Sequence, residues 1–268
     1  MTAPESDLSA ESIADGLRTR YVGRRILFFP TTPSTMDQAY AEARAGAPEG
    51  TIVVADQQTA GRGRFQRPWV SPPGAAIYLS LLLRPRPEHL LKLGMVASLA
   101  VVRAVRRASG LKATVKWPND VEIAGRKLSG ILIDSAMAGD GVDYVVVGIG
   151  INVSLDPTQF PEIAEIATSL SRELGRDVDR RSVLQALLEE IEGLYERVKR
   201  GEGIVEEWRE CLSTLGQRVA VTRPGDDQRT SLVEEGTAEA VDEDGALVLR
   251  RDDGSRVKLI AGEVTLRG

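Results

Sequence analysis

Lys116-Trp117-Pro118-Asn119-Asp120-Val121-Glu122-Ile123-Ala124-Gly125-Arg126-Lys127-Leu128-Ser129-Gly130-Ile131-Leu132 holds two short β-prone runs on either side of Ala124-Gly125-Arg126. A glycine between such runs makes a hairpin turn, and Pro118-Asn119-Asp120 makes a second corner just before it. Extending outward, 114–117 upstream and 144–153 downstream read as further strands, giving four in succession. Short connections of this kind join antiparallel neighbours, so the fold class is α+β with a mostly antiparallel sheet. Further upstream, 76–83 is a strongly apolar strand and 90–109 a long buried helix stopped by Gly110.

Toward the N-terminus, Ser9 caps a short helix ending near Gly16, and 25–29 is the first strand. Pro33-Ser34-Thr35 starts a helix that runs through 38–45 and stops at Gly46, and 51–55 is a buried strand. Beyond the hairpin, 181–199 and 204–215 show helical spacing, with Leu184, Leu187, Leu188, Ile191, Leu194 and Tyr195 as one apolar stripe. After Gly216 the pattern becomes short β segments at 218–222, 236–241, 246–249 and 256–259, punctuated by Asp244-Gly245 and Asp253-Gly254. The expected organisation is a tail at 1–20, a main domain at 21–215 and a small β barrel or sandwich at 216–268.

Composition narrows the function classes. The 268 residues carry 34 basic and 39 acidic side chains, a net charge of -5, which disfavours a protein that coats nucleic acid. One cysteine, Cys211, excludes an intramolecular disulfide, and one histidine, His89, removes most zinc sites and any triad needing another histidine. The apolar stretch around 90–105 is interrupted by Lys92 and Arg103, short of the ~18 residues of a membrane span. The polar start of the chain lacks the pattern of a signal peptide, so the expected compartment is the cytoplasm.

The cations gather locally. Gln58-Thr59-Ala60-Gly61-Arg62-Gly63-Arg64-Phe65-Gln66-Arg67-Pro68-Trp69 combines glycines that let the backbone approach an anion, arginine forks for phosphate oxygens, and an indole that can stack on a purine. It is neither a P-loop, lacking the Gly-Lys-Ser/Thr ending, nor a dinucleotide fingerprint, having Gln at position 66. Alone it could be an exposed basic loop. Lys127 could be a turn-flanking surface lysine and Asn119 a hairpin corner. Together with Lys116 and with Gly148-Ile149-Gly150-Ile151-Asn152, they suit an enzyme that activates an acid with a nucleotide, Arg64 and Lys127 stabilising charge on the α-phosphate.

Five motifs in order, Ser34-Thr35, Gln58 to Trp69, Lys116 to Asp120, Arg126 to Leu132 and Gly148 to Asn152, closely resemble biotin protein ligase. That resemblance implies a class II synthetase-like core with a small C-terminal SH3-like β barrel. It implies that biotin attacks ATP to give biotinyl-adenylate and pyrophosphate, and that a lysine of a biotin carboxyl carrier protein or domain takes the acyl group. Carried over by matching motif, Ser34, Thr35, Gln58, Gly61, Arg62, Lys127 and Gly130 are expected to bind biotin. Arg64, Arg67, Trp69, Lys116, Asn119 and Asn152 are expected on the nucleotide side, with Trp69 stacking on adenine, and Lys127 and Arg64 in catalysis.

ATP and Mg²⁺ enter as the substrate complex, and the metal's protein ligands stay unknown. Two positions depart from the family pattern, Met36 in place of Asn and Gln66 in place of Gly, the latter straining the loop if its φ is positive. The short stretch ahead of the first strand has no room for a DNA-binding module, so no DNA and no membrane partner is expected, and the state is a monomer or weak homodimer. The rival readings are a lipoate-protein ligase with the same adenylate chemistry and a non-catalytic biotin sensor. Octanoyl transfer through Cys211 is disfavoured by its distance along the chain from every motif.

Overall fold

The computed structural model describes residues 6–139, 141–224 and 230–266. The order is α1 (Ala10–Ala14), β1 (Ile26–Thr32), α2 (Thr35–Arg44), β2 (Ile52–Gln58), β3 (Ala76–Leu83), α3 (Leu93–Ser109), β4 (Thr114–Lys116), β5 (Asp120–Ile123), β6 (Arg126–Ala138) and β7 (Gly141–Asn152). There follow α4 (Leu170–Leu174), α5 (Arg180–Lys199), α6 (Val205–Glu210), β8 (Arg218–Pro224), β9 (Thr230–Val241), β10 (Leu247–Arg250), β11 (Arg256–Leu259) and β12 (Glu263–Leu266).

Seven strands form one sheet in the order β1-β2-β3-β7-β6-β5-β4. β1 and β2 are parallel, and the other neighbours are antiparallel. β3 is buried at every position, which is why its sequence, Ser80 apart, is apolar rather than alternating. One face of the sheet is covered by α3 and α5, whose stripe of Leu184, Leu187, Leu188, Ile191, Leu194 and Tyr195 enters the main core. α3 starts three residues later than the sequence suggests, because Pro87–Lys92 forms a 3₁₀ helix ahead of it, and Gly110 ends it at φ 78°. On the opposite face α2 packs Met36, Ala39 and Ala43 over Val53, Leu82 and Val146. It lies over β2, β3 and the first part of β7, and leaves the stretch from Gly150 across β6 to β4 to face the cavity.

Residues 6–20 are not a loose tail. Leu8, Ile13 and Leu17 are buried in the main core, and Arg180 donates to Asp7 and, at 2.8 Å, to Asp56. The first five residues lie outside the described ones. Ser9 caps α1 as its spacing suggests, with Ser12 completing the reciprocal pair.

The C-terminal strands form a five-stranded antiparallel sheet in the order β11-β10-β9-β8-β12. β9 begins earlier than position 236, and β12 was not evident from the sequence. Trp117 joins the two sheets: it is buried, its N–H donates to Thr214 Oγ1 at 3.0 Å, and its indole donates to Gly245 O at 2.9 Å. No helix among the described residues is long and apolar enough to cross a membrane.

Candidate active site

Directly paired residues on neighbouring strands point to the same face, so the register defines the floor of the open side. Tyr78 pairs with Gly150, Gly150 with Gly130, Gly130 with Asp120, and Asp120 with Lys116. This row crosses five strands beneath a cavity of about 510 Å³. Its middle is bare backbone, and the Trp69 indole lies on it. A Cβ at Gly150 would stand 2.6 Å from Trp69 Cε2, and one at Gly130 2.9 Å from Cζ3. Gly148, two residues along, is covered instead by Met36, whose sulfur would be 2.8 Å from such a Cβ. The Asn expected after Ser34-Thr35 is thus replaced by a buried thioether.

Lys127 reaches the floor because of a bulge. The pairing steps from Val121–Ser129 to Glu122–Lys127, leaving Leu128 as an extra residue. Strict alternation would bury Lys127 with Ser129; the extra residue turns it to the cavity. Its Nζ lies 2.8 Å from Asp120 Oδ1 and 5.4 Å from the centre of the Trp69 ring. Its main chain is held by the segment after β7, donating to Ile166 O at 2.8 Å and accepting from Thr168 N at 2.9 Å. Lys116 is 3.8 Å from Glu122, whose carboxyl is pushed above the usual glutamate range by burial despite that lysine.

The basic loop closes one side. Arg64 Nη1 donates to Asn119 Oδ1 at 2.8 Å and to Gly262 O at 2.9 Å, while Arg67 Nη1 donates to Glu263 Oε1 at 2.7 Å. Asn119 is itself fixed by donating to Ile131 O at 2.6 Å. Phe65 and Gln66 between the two arginines have φ of 56° and 59°, so Gln66 sits where glycine is favoured, at roughly 1–2 kcal/mol per residue. Arg62 pairs with Asp37 at the loop's start, and its hydrogen bonds hold that carboxyl below the usual range.

At the other end, Ser34 caps α2 by accepting from Met36 N at 3.3 Å. Gln58 Oε1 accepts from Thr35 N at 2.9 Å and Thr35 Oγ1 at 3.1 Å. Ser34, Thr35, Gln58, Arg62, Arg64, Arg67, Trp69, Lys116, Asn119, Lys127 and Gly130 therefore all line one cavity.

Two expected residues are placed differently. Gly61 is at the loop's neck rather than on the wall: its carbonyl accepts from Trp69 N at 2.9 Å, and a Cβ there would strike Ser71 Oγ at 2.7 Å. Asn152 is 3% exposed and donates to Thr168 O at 3.0 Å, because the segment after β7 lies over it; its amide serves the main chain. The sequence reading also missed Glu122, Glu165 and Glu263 on the cavity wall. Alternation along β5 signals Glu122 as a partner of Asp120, whereas Glu165 and Glu263 arrive by tertiary packing. Among the described residues no group of three or more His, Cys, Asp or Glu is placed to hold a metal ion.

Residues 28–152 match the Biotin/lipoate A/B protein ligase family, and residues 214–267 match the Biotin protein ligase C terminal domain. The biotin--[acetyl-CoA-carboxylase] ligase of Mycobacterium tuberculosis is 33% identical over 263 residues, covering 92% of this chain and 93% of that protein. The chain belongs to the biotin protein ligase family. The bifunctional ligase/repressor BirA of Bacillus subtilis is 43% identical over 184 residues, 68% of this chain, which spans 57% of that relative's length. Biotin protein ligase from Aquifex aeolicus, solved in complex with biotin and ATP, superposes with a TM-score of 0.77 at 29% identity. That superposition covers 91% of this chain and 99% of the other. The two sheets described above thus share the fold of that structure.

Proposed function

We propose that this chain attaches biotin to a lysine of a biotin carboxyl carrier protein or domain, through biotinyl-5'-AMP and at the expense of ATP. The observation that carries the reading is the glycine floor under Trp69, ringed by Lys127, Lys116 and Arg64 in one cavity. A bare floor admits a flat ring system, and clustered cations lower the repulsion between a carboxylate and a triphosphate. The relative named as a biotin--[acetyl-CoA-carboxylase] ligase and the Aquifex complex with biotin and ATP support the choice of acid and nucleotide.

In the first step a biotin carboxylate oxygen forms a bond to the α-phosphorus, and the bond to the bridging oxygen breaks, releasing pyrophosphate. Mg²⁺ enters with the nucleotide as part of the substrate. Thr35 and Gln58 orient the acid, Trp69 stacks on adenine, and Lys127 with Arg64 offsets charge that builds on the phosphoryl oxygens. Arg67 and Lys116 are further phosphate contacts, and the loop 61–69 excludes water from the anhydride. In the second step the carrier lysine's amine attacks the acyl carbon and AMP leaves. We assign the ligase chemistry to 21–215 with 216–268 as the accessory domain, in a cytoplasmic protein that acts as a monomer or weak homodimer without DNA.

ATP-pyrophosphate exchange with biotin, lipoate or octanoate as the acid tests the reading. Exchange with biotin alone supports it, exchange with lipoate moves the chain to the lipoate branch, and binding without exchange for any acid marks a sensor.

A further inference from the structure

Four side chains form an unbroken line of hydrogen bonds, of which Thr35 and Gln58 line the cavity and the other two lie behind it. Ser80 Oγ, fully buried on β3, donates to Thr35 Oγ1 at 2.8 Å, and Thr35 Oγ1 donates to Gln58 Oε1 at 3.1 Å. Gln58 Nε2 donates to Ser71 Oγ at 3.2 Å, and Ser71 Oγ donates to the Trp69 carbonyl at 2.8 Å. The polarity is forced from both ends. The Thr35 main-chain N–H can only donate, so Gln58 must turn its carbonyl toward α2. The Trp69 carbonyl can only accept, so the Ser71 proton points there and Ser71 must accept from Gln58. No member can reverse without leaving a buried group unpaired.

The line joins the acid end of the cavity to the nucleotide end. Beyond Ser71, Trp69 is held by its main-chain bond to Gly61, and its indole Nε1 is buried with no hydrogen-bond partner among the described residues. The ring's seat on Gly130 and Gly150 is therefore set by its backbone, and Ser71 is the side chain that grips that backbone. Gly61 leaves the space Ser71 needs, since a Cβ there would stand 2.7 Å from its hydroxyl.

We propose that Ser71 is a positioning residue that couples the acid subsite to the nucleotide subsite. An acid that hydrogen-bonds Thr35 or Gln58 orders this line and fixes the Trp69 carbonyl, so the indole meets adenine already placed. This rests on the reading of the cavity as a biotin and ATP site. Coupling of this kind tightens one ligand in the presence of the other by roughly 5- to 150-fold, and reciprocally.

The test is calorimetry on the whole chain with α,β-methylene-ATP, measured with and without saturating biotin. In the unaltered protein biotin should tighten the nucleotide analogue at least about fivefold. In Ser71→Ala the ratio should fall to within about twofold of unity, one hydrogen bond being worth about a factor of five. Ser71→Thr, which keeps the hydroxyl, should restore it. Gln58→Glu, which puts an acceptor against Ser71, should lose it as well, and this serves if Ser71→Ala does not fold. Ser71→Ala or Gln58→Glu with the original ratio overturns the coupling, as does a ratio of one in the unaltered protein. A chain that binds neither biotin nor the analogue overturns instead the functional reading beneath it.

Discussion

Gly150→Ala is the sharpest perturbation of the floor. β7 lies between β3 and β6, with Gly150 paired to Tyr78 on one side and Gly130 on the other, so the strand cannot retreat. The new methyl would stand 2.6 to 2.7 Å from Cε2, Cζ2 and Nε1 of Trp69. Ordinary carbon contacts are about 3.5–4.0 Å, so the indole must rise by roughly 1 Å or leave the shelf. The strand itself tolerates alanine, which is favoured over glycine there by about 0.5–1 kcal/mol, so the melting temperature should hold. Losing a base-aromatic stack costs about 1–3 kcal/mol, and the nucleotide analogue should bind about 5- to 150-fold more weakly. Biotin affinity should change little. Trp69→Ala should show a similar loss, and the double variant no more than either single one, since both remove one contact. Unchanged nucleotide affinity in a folded Gly150→Ala protein, or additive losses in the double variant, would refute the role given to Trp69.

Other expectations follow from the same geometry. Lys127→Ala should slow adenylation by about 100-fold or more while shifting biotin affinity by less than about threefold; equal losses in both would remove its transition-state role. Gln66→Gly releases a left-handed residue at φ 59° and should change the adenylation rate by about two- to fivefold without abolishing it, stopped-flow traces identical to the unaltered protein being the contrary result. Burial alone would push the Glu196 carboxyl up, but hydrogen bonds from Lys199, Tyr21 and Arg20 outweigh it and bring it to about 2. The unfolded chain therefore takes up that proton first as pH falls, and the stabilisation is lost between about pH 4.3 and 2. Thermal melts should show the advantage over Glu196→Gln shrinking across that window, and a gap independent of pH would contradict the assignment.

Much of the fold was legible because its signals are local. The hairpin at Ala124-Gly125-Arg126, the stop at Gly110, the cap at Ser9 and the stripe of α5 each depend on a few neighbouring residues. The site was legible as residue types but not as geometry. No sequence pattern announces that Leu128 is an extra residue, yet that bulge decides which way Lys127 faces. Asn152 has the same parity as Gly148 and Gly150, so alternation alone puts it on the floor; only the segment that crosses above removes it. Glu263 meets Arg67 across nearly two hundred residues, a contact that exists only once the C-terminal sheet has docked on Trp117.

The floor at Gly130, Gly148 and Gly150 also constrains how this protein can change. Its shape is made by missing side chains, and every substitution at a glycine adds atoms. Single replacements there can narrow the shelf but cannot enlarge it. A drift toward bulkier acids or bases must therefore begin elsewhere, at Met36 or Trp69, where there is something to trim. The two large side chains resting on bare backbone are the adjustable part of the cavity, and the sheet beneath them is the ratchet.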